Sequence, residues 1–336
     1  MTEGNPFSVA VILPVFRDWE CAALLCRNLD AACARMPDVE VRVTIVDDGS
    51  PDASSGWESF QPAHLRSIQA LWLRRNLGHQ RAIAVGLCYL MEHGRCDAVL
   101  VMDADGEDRP EDAVSLIEEA RKRPGRIVFA ARKKRLNGWV FRAGYSLYRI
   151  LHLALTGIAV RVGNFSVVPF ASLNRLCCMS ELWNHYAGAV FRSKLPFDCV
   201  PIARGERYSG RSQMNWIALV NHGLSGIATF QDVAATRILI ANLAAMAAAA
   251  IALVCVVLIR LYTNAAIPGW APYVTGLLLI FMAQLVAASF TLVFLLISNR
   301  VSFPFVPIRD YSIFVDRVEV LCGAAIESGR IPIRRQ

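Results

Sequence analysis

The sequence predicts an α/β fold with a mixed, mainly parallel sheet, followed by interfacial helices and a two-helix transmembrane hairpin. Three observations predict it. Strand-like and helix-like patterns alternate through the first 131 residues; each strand is apolar almost throughout; and two long uncharged runs follow near the C-terminal end. Apolar, β-branched strands separated by helical segments suit a parallel sheet covered on both faces.

The expected strands are 9–14, 39–47, 68–73, 98–102 and 127–131, with helices near 18–35, 80–93 and 110–123. Ligands of such sheets bind at the carboxyl ends of the strands. Here those ends carry Pro14-Val15-Phe16-Arg17-Asp18, Asp47-Asp48-Gly49-Ser50, Asn76-Leu77-Gly78-His79 and Asp103-Ala104-Asp105. The last cluster is the most informative. An apolar strand runs directly into Asp103, Asp105, Glu107, Asp108, Glu111 and Asp112. Hard oxygen donors gathered in this way suit Mg²⁺ or Mn²⁺ carrying a phosphorylated ligand. The plain alternative is an acidic loop capping the helix that begins near Pro110. Asn76 and the residues after it open a helix, whose free backbone N–H groups favour a polar ligand. Taken singly, Asn76 also reads as a turn residue and His79 as a surface histidine.

After residue 131 the alternation stops. Residues 138–160 form an apolar helical pattern with interleaved Trp139, Phe141, Tyr145, Arg142 and Arg149, and 214–230 is a second aromatic segment. Both fit the membrane interface, and both fit ordinary core helices equally well. Residues 238–259 and 273–297 carry no charge. Each exceeds the about 18–20 apolar residues needed to cross a bilayer. The organisation expected is therefore a sheet domain over 1–235, two spans within 236–299 and a tail over 300–336. The N-terminus has no basic segment before its first apolar stretch and reaches Asp18 early, unlike a secretory signal. The connector 261–272 lacks Lys and Arg, whereas Arg237 and six arginines from Arg300 onward flank the spans. Both termini are thus expected in the cytoplasm, at the inner membrane.

Ten cysteines without a C-x-x-C pair indicate neither a zinc site nor a disulfide framework, and reduced, buried thiols are expected for all ten. The net charge of +7 is read as attraction to anionic membrane lipids and phosphate. No nucleic-acid-binding motif accompanies it.

The order P-V-F-x-D, V-D-D-G-S, N-x-G, D-A-D-x-E resembles family 2 glycosyltransferases, in the branch of dolichol-phosphate mannose synthase and bacterial polyprenyl-phosphate glycosyltransferases. The resemblance covers residues 7 to 300. It implies a Rossmann-like, glycosyltransferase A-type nucleotide-sugar domain and inverting transfer. It also implies that Pro14, Phe16, Asp18, Asp48 and Asn76 lie with the nucleotide, and that Asp103, Ala104 and Asp105 face the sugar diphosphate. Asp103, Asp105 and Glu107 would hold Mg²⁺ or Mn²⁺, Glu107 standing where this family usually has Gln. Arg132, at the head of the basic run Arg132 to Arg135, and Arg207, in the basic loop from Arg204 to Ser212, would meet phosphate groups.

Two positions depart from the family pattern. Asn164 in Gly163-Asn164-Phe165 stands where relatives often carry Asp near the acceptor, and an amide cannot act as a general base. For a hydroxyl acceptor, losing a base costs about 10²–10⁴ in rate. A lipid phosphate, with a second pKa of about 6, needs none. Asn164 therefore points to a phosphate acceptor, to another base such as Glu181 or Asp198, or to an inactive relative. Ser212-Gln213 replaces the family's usual Ser-Lys, a missing cation that Arg211 could replace. The partners expected are a nucleotide-sugar donor, a polyprenyl phosphate or other lipid acceptor, and membrane lipids, for cell-envelope glycan assembly. Homo-oligomerisation stays open. The rival expectations are a hydroxyl acceptor, or an inactive nucleotide- or lipid-binding subunit.

Overall fold

The structure is a computed structural model and describes residues 6–51, 57, 60–132, 139–158, 162–203, 205–208, 216–263, 269–301 and 305–323. The chain divides into two compact units, one of 1–142, 160–229 and 305–336, the other of 143–159 and 230–304.

In the first unit, β1 (Phe7–Val15), α1 (Trp19–Cys33), β2 (Val39–Asp47), β3 (Leu65–Leu73), α2 (His79–His93), β4 (Ala98–Val101), α3 (Pro110–Lys122) and β5 (Ile127–Arg132) follow in order. All five expected strands and all three expected helices form, with ends shifted by a few residues at most. Strand β1 shows why the strands read as continuously apolar. Val9, Val11 and Leu13 pack with α1 and α3, while Ala10 and Ile12 pack with α2 on the other face. Burying both faces leaves no position for a polar alternation. Gly86 lets α2 lie close, since a Cβ there would sit 2.9 Å from Val46 Cγ2 and 3.0 Å from Ile12 Cγ2.

Beyond α4 (Trp139–Thr156), the elements β6 (Ser166–Pro169), α5 (Phe170–Cys177), α6 (Tyr186–Ser193), β7 (Phe197–Ile202) and α7 (Trp216–Ala228) follow. After two long helices, α8 (Gln231–Tyr262) and α9 (Trp270–Val301), come a short α10 (Pro307–Asp310) and β8 (Val315–Gly323). The strand order is β7-β5-β6-β4-β1-β2-β3-β8. Strand β6 runs antiparallel to β4 and β5, and β8 antiparallel to β3; the remaining pairs are parallel. This is the mixed, mainly parallel sheet that the sequence predicts.

One expectation is corrected here. Within the segment 300–336, read as a tail, the described residues 305–323 return to the sheet, and β8 covers the open edge of β3. Tyr311 donates its hydroxyl hydrogen to Glu92 Oε2 in α2, Trp72 Nε1 donates to Glu319 Oε2 at 3.0 Å, and the Arg317 guanidinium lies 4.5 Å from the centre of the Trp72 ring. As an edge strand with Asp316, Arg317 and Glu319 facing outward, β8 lacks the apolar signature that marks the central strands.

In the second unit, α8 and α9 are long and apolar enough to cross a membrane, with 11% and 0% of their most apolar windows buried. Asn242 of α8 donates to Ser289 Oγ of α9 at 3.4 Å. Along α4, Leu147, Ile150, Leu151 and Leu153 are exposed. Arg237 Nη1 donates to the carbonyls of Leu153 and Ala154 at 3.3 and 2.8 Å, closing the C-terminal end of α4. The cysteines are all free, but not all buried: Cys178 at the end of α5, Cys199 on β7 and Cys255 on α8 are exposed.

Candidate active site

The site forms where the carboxyl ends of β1 to β4 meet the first turn of α2. Asp47, fully buried, accepts from Trp19 Nε1 at 3.0 Å and from the Ser50 amide at 2.9 Å, so it shapes the loop after β2. Asp48 is also buried and accepts from the amides of Leu77 and Gly78 at 2.6 and 2.8 Å, tying that loop to the start of α2. Burial raises the Asp48 pKa, and the two amides oppose the rise. Gly49 makes the crossing feasible: its φ is +73°, and a Cβ would lie 2.6 Å from the backbone of Arg75 and Asn76. Asn76 itself is exposed.

Pro14 is buried at the end of β1, and Phe16 and Asp18 are partly exposed beyond it. Between them Arg17 adopts the left-handed conformation (φ 60°), its amide donating to Ser50 Oγ at 2.8 Å and its guanidinium over the Phe16 ring.

The turn after β4 is built around Asp108, whose buried carboxylate accepts from the Asp103 amide at 2.8 Å. Asp105 Oδ1 accepts from the Glu107 amide at 3.0 Å, and Asp105 Oδ2 lies 2.9 Å from Arg207 Nη2. The Tyr208 and Gly205 amides donate to the carbonyls of Asp105 and Glu107, both at 3.0 Å, so the basic loop is stitched onto the acidic turn. Burial raises the Asp105 pKa, and the charges of Asp103 and Glu107 add to the rise against the Glu107 amide and Arg207. Ala104 is buried.

The sequence reading missed a second cluster. His79 Nε2 lies 3.2 Å from Asp103 Oδ1 and 3.0 Å from Asn164 Nδ2. Gln80 Nε2 donates to Asn164 Oδ1 at 3.2 Å, and Gln80 Oε1 accepts from the Tyr186 amide at 2.7 Å. Burial disfavours the charged His79 ring, but Asp103, then Asp105 and Asp48, outweigh it and raise the His79 pKa. The signal available in the sequence was the pair His79-Gln80 opening a helix beside an acidic strand end. Glu181 and Asp198, the alternative bases, are engaged elsewhere: Glu181 with Arg192 Nε at 2.7 Å, Asp198 with Arg126 Nε at 2.7 Å. The Arg126 hydrogen bond holds the Asp198 pKa below the ordinary value.

Asp103, Asp105 and Glu107 share one turn as expected. Among the described residues, however, no group of three His, Cys, Asp or Glu side chains is gathered closely enough to hold a metal ion. Asp105 faces Arg207 and Asp103 faces His79, so the arrangement does not fit a protein-built cage for Mg²⁺ or Mn²⁺. The side chain of Arg132, and all of Lys133 to Arg135, Arg204, Arg211, Ser212 and Gln213, lie outside the described residues.

Carboxylates, an arginine and a histidine thus meet at the ends of parallel strands, the edge at which ligands of such sheets bind. The glycosyl transferase family 2 profile matches residues 10–182, and the chain belongs to that family. Similar proteins include undecaprenyl-phosphate 4-deoxy-4-formamido-L-arabinose transferases. The one from Pseudomonas fluorescens (strain SBW25) is 32% identical over 45% of this chain and 43% of its own length. The one from Edwardsiella ictaluri (strain 93-146) is 28% identical over 63% of this chain and 65% of its own. The chain thus spans less than two thirds of the length of these relatives. Among solved structures, glucosyl-3-phosphoglycerate synthase from Mycobacterium tuberculosis, in complex with Mn²⁺, UDP-glucose and phosphoglyceric acid, matches with a TM-score of 0.48. Its identity is 15%, over 68% of this chain and 80% of its own.

Proposed function

We propose that this protein is a membrane-anchored, inverting glycosyltransferase that moves a sugar from a nucleotide-sugar donor to a polyprenyl phosphate at the cytoplasmic face. The observation that carries this reading is the environment of Asn164. Its amide is held between Gln80 and His79. Residue 164, at the position that resembles the acceptor side, thus itself has no carboxylate to take a proton, and Asp103 beyond it faces His79 Nε2 at 3.2 Å. A phosphate acceptor, already ionised at neutral pH, requires none. Its oxygen bonds to the anomeric carbon while the bond from that carbon to the donor diphosphate breaks. The nucleoside diphosphate leaves with the electron pair, and no proton changes hands.

The names of the similar transferases and the two apolar helices support a lipid-linked acceptor. Arg207 supplies positive charge next to Asp105, where the departing diphosphate gathers negative charge.

Purified full-length protein in nanodiscs, given undecaprenyl phosphate and a panel of nucleotide sugars, is expected to yield lipid whose mass has risen by one sugar. If no donor labels the lipid but a saccharide or lipid hydroxyl is glycosylated, the phosphate acceptor is wrong. No transfer of any kind, with folded protein, leaves an inactive binding subunit.

A further inference from the structure

We infer that the aromatic cluster of Trp183, Phe305 and Phe314, with Arg75 and Arg81 over it, is a docking surface for the anionic phospholipid headgroups of the bilayer. The inference rests on the membrane-anchored reading and adds to it a contact outside the two apolar helices.

Separate stretches of the chain build this surface. Phe305 leads into α10, Phe314 closes the turn Tyr311–Phe314 before β8, and Trp183 ends the turn Ser180–Trp183 between α5 and α6. The Trp183 ring centre lies 4.2 Å from that of Phe305 and 5.2 Å from that of Phe314, and all three rings are partly exposed. The start of α2 supplies the charge. The Arg81 guanidinium lies 5.6 Å from the centre of the Trp183 ring, and that of Arg75 lies 5.7 Å from the centre of the Phe314 ring. Neighbouring arginines are engaged: Arg192 with Glu181 at 2.7 Å, Arg309 with Asp310 at 2.7 Å, and Arg74 with the Val315 carbonyl at 3.1 Å. Among the described residues the Arg75 and Arg81 guanidiniums make no hydrogen bond or ion pair, and their partners are the aromatic faces alone. A cation seated on a ring keeps its charge and stays open to an anion on its other side.

Connectivity and charge name the occupant. Helix α9 ends at Val301 and Phe305 follows four residues later, a covalent reach of at most about 14 Å. A chain that crosses the bilayer as α9 therefore delivers Phe305 to the surface at which it leaves. There the rings sit at headgroup level, as aromatic belts do, and the two open guanidiniums meet anionic lipid. Ile313, next to Phe314 in the chain, is 65% exposed, more than any other large apolar side chain described in the sheet-bearing unit. An aliphatic side chain, partly exposed rings and unpaired cations together match the chemistry of a bilayer surface.

Full-length protein labelled with 5-fluorotryptophan is placed in nanodiscs of phosphatidylcholine, with or without phosphatidylglycerol, in which some lipid carries a gadolinium chelate on its headgroup. The ¹⁹F signal of Trp183 is assigned from Trp183→Phe. It is expected to broaden in discs that contain phosphatidylglycerol and to sharpen when Arg75→Gln and Arg81→Gln are combined. The ratio of docked to free surface should fall about 30-fold in that double variant, two cations being withdrawn from an anionic surface. A Trp183 signal that the labelled lipid leaves sharp overturns the inference, and if it shifts in discs carrying two copies of the chain, the occupant is a second copy. Broadening indifferent both to phosphatidylglycerol and to the two arginines also overturns it, because nearness imposed by the tether is then the whole effect. If the double variant does not fold, the wild type in high salt decides, since salt screens surface charge; broadening that high salt leaves undiminished overturns the inference. Retention of the wild type in carbonate-washed membranes is recorded alongside. Its loss removes the anchored reading and the docking with it, whereas anchored protein with an unresponsive Trp183 overturns the docking alone.

Discussion

Arg207 and Asp105 form an ion pair at 2.9 Å across the seam between the basic loop and the acidic turn, both side chains less than a quarter exposed. The carboxylate that the sequence assigns to a divalent cation is thus already matched by a cation of the protein. A metal ion that binds at this turn competes with Arg207 for Asp105. Arg207→Ala is therefore expected to tighten Mn²⁺ binding, followed by electron paramagnetic resonance, while it lowers sugar transfer by about 10²-fold through loss of charge beside the leaving group. Weaker Mn²⁺ binding in Arg207→Ala would show that the arginine does not compete with the ion.

The raised pKa of Asp105 fixes the direction of a pH effect. Burial is its main cause, and Arg207 works against the rise. The ionised carboxylate is the form that pairs with a cation, so transfer should fall as pH drops through a value above the ordinary aspartate range of about 3.9. In Arg207→Ala the opposing charge is gone, and this acid limb should move to higher pH. For stability the sign is opposite to that of a paired surface carboxylate. The folded state holds the Asp105 proton more tightly than the unfolded state, so this group favours folding at low pH and ceases to do so as pH rises through its folded pKa. An acid limb that shifts downward in Arg207→Ala would contradict this account.

Gly106 links the same two segments sterically. Its φ is +89°, and a Cβ would lie 2.7 to 2.8 Å from the Tyr208 ring. Tyr208 in turn accepts from Asn28 Nδ2 at 2.9 Å through its hydroxyl oxygen. Gly106→Ala should cost about 1–3 kcal/mol of backbone strain and push the basic loop off Asp105, lowering transfer. Tyr208→Ala in the same chain removes the clash but not the strained φ, so a double-mutant cycle should show partial rescue only. Complete rescue would mean that the conformation of Gly106 carries no cost.

The central strands and the helices between them were legible because burial on both sheet faces leaves an unbroken apolar run, as in Val9 to Leu13. The acidic turn was legible because Asp103, Asp105 and Glu107 are adjacent in sequence. His79 was not, since its meaning depends on Asn164 and Tyr186, which approach it only through the fold. The resemblance places Asp48 with the nucleotide, yet its carboxylate accepts from the Leu77 and Gly78 amides, and that of Asp47 from Trp19 and the Ser50 amide. Strand β6 was missed because its four residues run against the direction of their neighbours. The return of β8 was missed because two apolar helices separate it from the sheet and its outer face is charged.

That return makes the last prediction. Strand β3 has nine residues, and without β8 its outer edge would present unpaired backbone groups beside the Trp72 ring, a surface prone to pairing with other chains. Deleting residues 305–336 keeps both apolar helices but removes Arg317 and Glu319 from Trp72 and Tyr311 from Glu92. The truncated protein is expected to reach the membrane fraction and then to aggregate on extraction. Its tryptophan emission should shift to longer wavelength as Trp72, now 6% exposed, meets water. A substitution at Glu319 alone leaves the ladder intact and should lower stability only by the about 1 kcal/mol typical of one hydrogen bond. A truncated protein that melts like the full chain would show that β8 decorates the sheet rather than completing it.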